Sequence, residues 1–155
     1  MLGVPSPQIS RENVSLMAGS LKTLRTVQWA MLLSILLYVA VGEVFGPRIR
    51  HVDPALSYLF STLAVGIVGT IFVVRRTLVL RAASTLATRP DDNISLNQWK
   101  TGYLATYALC EALALFGLVL RFLGSELQQS LLFYLGGFVL LFFFRPRQPE
   151  TQPST

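Results

Sequence analysis

The sequence is poor in the residues that build catalytic or cross-linked sites. Its 155 residues include one cysteine, Cys110, and one histidine, His51. A single cysteine excludes an internal disulfide, and His51 with Asp53 offers too few ligands for a metal site. The sequence contains no Ser/His/Asp set, Walker loop or dinucleotide fingerprint. We therefore expect no enzymatic activity, no cofactor and no metal.

Charge is also scarce. Charged residues make up 14% of the chain, against roughly 25% in soluble domains. Hydrophobic residues reach 52%, and the mean hydropathy is +0.54. This composition excludes a disordered chain and an ordinary soluble enzyme. The net charge of +5 does not indicate nucleic-acid binding, because the basic residues cluster beside apolar stretches and most aromatic residues lie inside them. The expected partner is a lipid bilayer.

Four apolar stretches account for the hydrophobic half of the sequence. They cover about residues 27–45, 56–74, 101–120 and 126–144. Each is close to the roughly 20 residues that a helix needs to cross about 30 Å of hydrocarbon. The second and fourth are apolar on all sides, unlike the amphipathic helices of a soluble bundle. The sequence predicts an all-α polytopic membrane protein with four transmembrane helices arranged as two hairpins.

Lysine and arginine residues predict the orientation, since they are retained on the cytoplasmic side of short loops. Ten of them fall on one side and three on the other. Both termini should therefore face the cytoplasm, in the inner membrane of a bacterium. Residues 1–26 then form a cytoplasmic arm, a candidate interfacial helix, before a transmembrane domain over 27–144. Residues 75–100 form a cytoplasmic loop and 145–155 a disordered cytoplasmic tail.

Local signals refine the helix ends. Residues 75–88 are expected to extend the second helix beyond the membrane, and the polar residues 89–92 to form a turn. Ser95 with Gln98 fits a capping box at the start of the third helix, and Gly124 fits its end. Ser125 with Gln128 repeats the capping pattern for the fourth helix.

Small residues predict how the helices pack, because close approach drives helix association in lipid. Two stripes at helical spacing are candidate packing faces that we expect to meet: Thr62, Gly66 and Thr70 on the second helix, and Thr101, Ala105, Ala108 and Ala112 on the third.

Glu111 is the only charged residue near the middle of a membrane span. It lies about ten residues, roughly 15 Å, from either end of the third span. A charged carboxylate at this depth costs at least about 2.5 kcal/mol by insertion scales, and no basic residue lies at the same level. The side chain is a candidate proton or ion site, or a structural link between helices. Its candidate hydrogen-bond partners are Ser34, Tyr38, Thr62, Tyr107 and Tyr134.

Near the end of the first span, Glu43 can reach the interface as a solvated charge or pair with Arg48 or Arg121. The outer patch over residues 48–51 is basic, and it is either a binding surface for anionic lipid or protein or a tolerated minority of charge.

Two short motifs carry a family resemblance. The run from Glu111 to Val119 (EALALFGLV) resembles the ion-site segment of the rotor proteolipid, subunit c, of rotary ATPases, and residues 87–90 (ATRP) resemble its polar loop. The similarity covers about residues 56–120, and it implies that Glu111 takes the place of the ion-carrying carboxylate. The second helix departs from that family, since it has only Gly66 and Gly69 in place of a glycine ladder. The whole chain resembles small bacterial multi-pass membrane proteins.

Two functional classes follow from these observations. The first is a non-enzymatic structural or accessory subunit of a membrane complex, with a membrane protein or a second copy of the chain as partner. The alternative is proton or cation binding and translocation through Glu111.

Overall fold

A computed structural model describes residues 7–47, 53–88 and 92–146. These residues are helical, without strands. The elements, in chain order, are α1 (Pro7–Phe45), α2 (Pro54–Val74), a π-helical segment (Arg75–Leu80), α3 (Arg81–Thr88), α4 (Asn93–Phe122) and α5 (Leu127–Phe143).

The predicted fold class is confirmed. Three helical runs, Ala18–Phe45, Pro54–Ala87 and Asn93–Phe122, are long and apolar enough to cross a membrane. The fourth, Leu127–Phe143, is apolar but shorter. Its 17 residues extend about 26 Å, close to the lower limit for crossing the hydrocarbon layer.

Helix α4 is the centre of the bundle. It packs against α1, α2 and α5 and contributes twelve buried residues, from Ser95 to Arg121. The successive helices α1 and α2 each pack on α4 rather than extensively on each other within the described ranges. One buried cluster joins α1, α4 and α5 through Ile35, Ala114 and Tyr134.

The turn between α4 and α5 follows from its sequence. Gly124 has a φ of 94°, a backbone conformation that glycine adopts without steric cost. Its N–H donates to the Arg121 carbonyl, and the Ser125 N–H donates to the Leu120 carbonyl. These two bonds form a Schellman motif, so the predicted helix end at Gly124 is confirmed. Ser125 does not cap α5: its hydroxyl donates to the Gln129 side chain, and Glu126 holds the cap position.

Glycines allow α4 and α5 to approach closely. A Cβ added at Gly117 would lie 2.9 Å from the Ser130 carbonyl oxygen, and one added at Gly137 would lie 2.6 Å from the Cys110 carbonyl oxygen. Both neighbours are backbone atoms, which cannot rotate away. The two helices therefore meet at a separation that only glycine permits.

The predicted meeting of the two small-residue stripes is wrong. Thr62, Gly66 and Thr70 are exposed, and a Cβ added at Gly66 would meet no atom within 4 Å. The two threonine hydroxyls donate to carbonyl oxygens of their own helix. On α4, Ala105 and Ala112 are half-buried, whereas Thr101 and Ala108 are exposed.

Helix α2 instead turns its opposite face to the bundle. The residues on that face are Phe60, Ala64, Ile67 and Ile71, three of which have large apolar side chains. The Phe60 ring lies 5.3 Å from the Phe116 ring, edge to face, and Ile71 is fully buried. The glycines of α2 do not take part in this contact, since a Cβ added at Gly66 or Gly69 would meet no atom within 4 Å.

The polar segments are more helical than expected. Helix α1 continues without a break from Pro7 through the first span, so the N-terminal arm is not a separate interfacial helix within the described range. The loop 75–100 is mostly helical. Helix α4 begins before Ser95, because Asp92 caps it by accepting from the Ile94 N–H, and Ser95 donates to the same carboxylate. The predicted tail from residue 147 onward lies outside the described residues.

Candidate functional site

Glu111 lies on the side of α4 that faces α1, half-buried between the two helices. Two hydroxyl groups of α1 donate to its Oε1 atom: Tyr38 Oη at 2.7 Å and Ser34 Oγ at 3.0 Å. Ser34 and Tyr38 are four residues apart and therefore point from the same face of α1. The carboxyl group thus joins two membrane helices through a pair of hydrogen bonds.

The other three predicted partners do not bind Glu111 in the structure. The Thr62 hydroxyl donates to the Tyr58 carbonyl on the uncovered face of α2. The hydroxyls of Tyr107 and Tyr134 are buried and make no hydrogen bond with the described residues. The Tyr107 ring packs beside Tyr103, with 6.0 Å between ring centroids, and Tyr134 lies with Ile35 and Ala114. Similar depth in the membrane did not bring Thr62 or Tyr134 to the carboxyl group. Tyr107 lies one turn before Glu111 on α4 but packs its ring beside Tyr103.

The arrangement around Glu111 suits reversible binding of a small positive species. Both hydrogen bonds are donated to Oε1, and neither involves Oε2. A proton or a cation at the carboxyl group would remove the free-energy cost of a bare charge at this depth. The same two hydrogen bonds also stabilise the α1–α4 contact, so the geometry accommodates both readings of Glu111.

Glu43 forms an ion pair with Arg121 near the far ends of α1 and α4. Arg121 Nε lies 3.0 Å from Glu43 Oε1. The Arg121 side chain is 8% exposed and that of Glu43 is 41% exposed. Arg121 Nη1 also donates to the Ser125 carbonyl at 3.1 Å. The predicted ion pair of Glu43 with Arg121 is therefore present in the structure. Arg48, the other predicted partner, lies outside the described residues.

A buried side-chain bond that the sequence analysis missed joins α1 to the end of α5. Gln28 Nε2 donates to the Leu141 carbonyl at 2.8 Å, and Gln28 is 4% exposed. The sequence indicates this bond only by the presence of Gln28 within the first apolar stretch, because a buried side-chain amide requires a hydrogen-bond partner.

The structure also brings together arginine and aromatic side chains at the end of the bundle where α4 begins. This end is called the basic end below, and it includes Arg25, Arg75 and Arg145. In the sequence these arginines indicate only the orientation, because no local pattern shows that the chain brings Arg75 beside Phe144. Among the described residues, no group of three histidine, cysteine or acidic side chains is placed to hold a metal.

No protein family, curated protein or solved structure matches the chain. The resemblance to the rotor proteolipid therefore stays a prediction that rests on the short motifs at residues 87–90 and 111–119.

Proposed function

We propose that this protein is a non-enzymatic accessory subunit of a membrane complex and that it contacts its partner through α2. The observation that carries this proposal is the burial of α2. In a helix of 21 residues only Ile71 is buried, whereas α4 buries twelve residues. A membrane helix that is held along one edge leaves most of its surface for lipid or for another protein.

The composition of the uncovered face favours another helix. Thr62, Gly66 and Gly69 lie on the side of α2 opposite Phe60 and Ile71. Small side chains let a neighbouring backbone approach closely, and close packing is a main source of helix association in lipid. The partner we propose is therefore a transmembrane helix with its own small or flat face.

Native electrophoresis in a mild detergent tests this role. We expect the wild-type protein to migrate in an assembly that contains a second membrane protein and Gly66→Leu to shift it to the mass of the monomer. Gly136→Ala is the control, because its added Cβ makes only an ordinary 3.4 Å contact within the chain. Monomeric migration of the wild-type protein, or an unchanged assembly in Gly66→Leu, would contradict the proposal.

The charge distribution supports an inner-membrane location with both termini in the cytoplasm. Ten of the 13 lysine and arginine residues fall on the side of the termini. Reporter fusions at Phe45 and at the C-terminus test this orientation. A reporter active only outside the cytoplasm should work at Phe45 and fail at the C-terminus, and the reverse pattern would overturn it.

Proton or cation binding by Glu111 is the second candidate function. It is supported by the two hydrogen bonds that hold the carboxyl group between α1 and α4. Its test is labelling by a hydrophobic carbodiimide, which reacts with a protonated carboxyl group within the membrane, together with proton flux into vesicles. Wild type should show both, and Glu111→Gln, which keeps size and hydrogen bonding, should lose both. A wild-type protein without labelling and without flux would exclude this function.

A further inference from the structure

An open cleft lies at the basic end, between the π-helical segment, the start of α4 and the end of α5. Its volume is about 530 Å³. Its charged lining residues are Arg75 and Arg145, and the rest of its wall is aromatic or aliphatic, including Trp99, Tyr103 and Phe144. The cleft is therefore cationic at two points and apolar between them.

Arg75 is held in this wall by aromatic rings. Its guanidinium carbon lies 4.0 Å from the centroid of the Phe144 ring and 5.9 Å from that of Tyr103. No described carboxylate pairs with Arg75, and its Nη1 atom is buried without a hydrogen bond to any described residue. A buried donor left unsatisfied is unfavourable, and more so when it carries charge. The arrangement calls for an anionic oxygen that the described chain does not supply.

The backbone keeps Arg75 in place. It is the first residue of the π-helical segment, and such segments are frequent at functional sites. Gly102 of α4 lets this segment approach, since a Cβ there would lie 2.8 Å from Val79 Cγ2. The segment that begins with Arg75 therefore packs closely against α4.

A second cationic cleft adjoins the first. It has a volume of about 470 Å³, is lined by Arg25, Gln28 and Trp29, and shares Phe142 and Arg145 with the first cleft. Arg145 stacks over Phe142 at 4.7 Å and so lies between the two. Three arginines therefore surround one region at the basic end.

The mouth of the cleft favours a ligand with an apolar chain. Phe142 and Phe143 line it and are 48% and 78% exposed. Both belong to the last turn of α5, an apolar helix that ends just before Arg145. A soluble anion would bind the guanidinium groups but would leave this apolar surface uncovered.

We propose that the cleft binds one anionic phospholipid, with its phosphate held by Arg75 and Arg145 and an acyl chain lying along Phe142 and Phe143. Planar guanidinium groups suit phosphate because they present paired donors. This site is separate from Glu111 and from the outer face of α2, so it does not depend on the function proposed above.

Tryptophan fluorescence provides a direct test. The chain has two tryptophans, of which Trp99 lines this cleft and Trp29 lines its neighbour. The Trp29→Phe variant, reconstituted in phosphatidylcholine vesicles, reports on Trp99 alone. Phosphatidylglycerol with brominated chains should quench Trp99 at a lower mole fraction than brominated phosphatidylcholine. Arg75→Gln should raise the half-quenching mole fraction of phosphatidylglycerol about 10-fold, or about 1.4 kcal/mol.

Matched variants and competitors decide the outcome. Arg76→Gln removes the same charge from the adjacent exposed residue, which does not line the cleft, and should leave quenching unchanged. If Arg75→Gln does not fold, Arg145→Gln replaces it, because Arg145 is exposed and lies beyond the end of α5. Equal quenching by the two lipids, or equal effects of the cleft variants and Arg76→Gln, would overturn the proposal. Displacement of the lipid by millimolar inorganic phosphate or glycerol phosphate would instead identify a site for soluble phosphate.

Discussion

Glycine occurs at the α4–α5 interface and on α2, but in opposite environments. Gly117 and Gly137 face backbone carbonyl groups so closely that an added Cβ would lie within 3 Å of them. Gly66 and Gly69 face open space, with no atom within 4 Å of an added Cβ. The first pair belongs to contacts that hold the chain together, and the second pair is free for contacts with another molecule. This difference separates residues needed for folding from residues available for assembly.

The largest effect on folding is expected at Gly137. Gly137→Ala places its Cβ 2.6 Å from the Cys110 carbonyl oxygen, so α4 and α5 must move apart. We expect a loss of about 2 kcal/mol in the free energy of unfolding, in the usual range for overpacking. Thermal unfolding in detergent measures it. Gly136→Ala is the adjacent control and should be nearly neutral, and equal stability of the two variants would contradict the packing described here.

A smaller effect is expected at Gly102, where the π-helical segment joins α4. Gly102→Ala meets Val79 Cγ2 at 2.8 Å and the Val79 backbone nitrogen at 3.3 Å. A side-chain methyl can move, so we expect a loss of about 1 kcal/mol. The same unfolding measurement applies, with Gly69→Ala as the open-space control. If Gly102→Ala is as stable as Gly69→Ala, the approach of the π-helical segment to α4 is looser than described.

The smallest effect on stability is expected at Gly66. Gly66→Leu adds an apolar side chain to a lipid-facing surface, so the unfolding temperature of the isolated protein in detergent should change little. A clear loss of stability in the purified monomer would mean that this face packs within the chain after all. It would also restore the predicted contact of Gly66 with the alanine stripe of α4.

The sequence was sufficient to predict the four apolar helices, since length and hydropathy alone decide whether a helix can cross a membrane. It was not sufficient to predict which face of α2 meets α4. That helix is apolar on all sides, so its hydrophobic pattern carries no direction. Small size indicated that Gly66 was important, but small residues serve folding and assembly equally, and only the three-dimensional arrangement distinguishes the two.

The same limit applies to Glu111. Depth along the helix correctly included Ser34 and Tyr38 among its candidate partners, and these two donate to it. Depth also included Thr62 and Tyr134, which do not donate to it, and neither does Tyr107, which was a candidate because it lies one turn before Glu111. Matching depth restricts a residue to a layer of the membrane, whereas contact also requires the right angle around the helix axis. The spacing of four between Ser34 and Tyr38 was the signal that the two share a face.

Site-specific crosslinking in native membranes is the most direct test of the accessory role. A photoreactive thiol reagent is attached to Gly66→Cys or Ala64→Cys, each in a Cys110→Ala background that removes the only native cysteine. Gly66 lies on the outer face of α2, and Ala64 is half-buried on the side toward the bundle. We predict that Gly66→Cys yields a crosslink to one constant membrane protein and that Ala64→Cys yields none. Lipid adducts alone, a product containing only a second copy of the chain, or equal products from both positions would contradict the account.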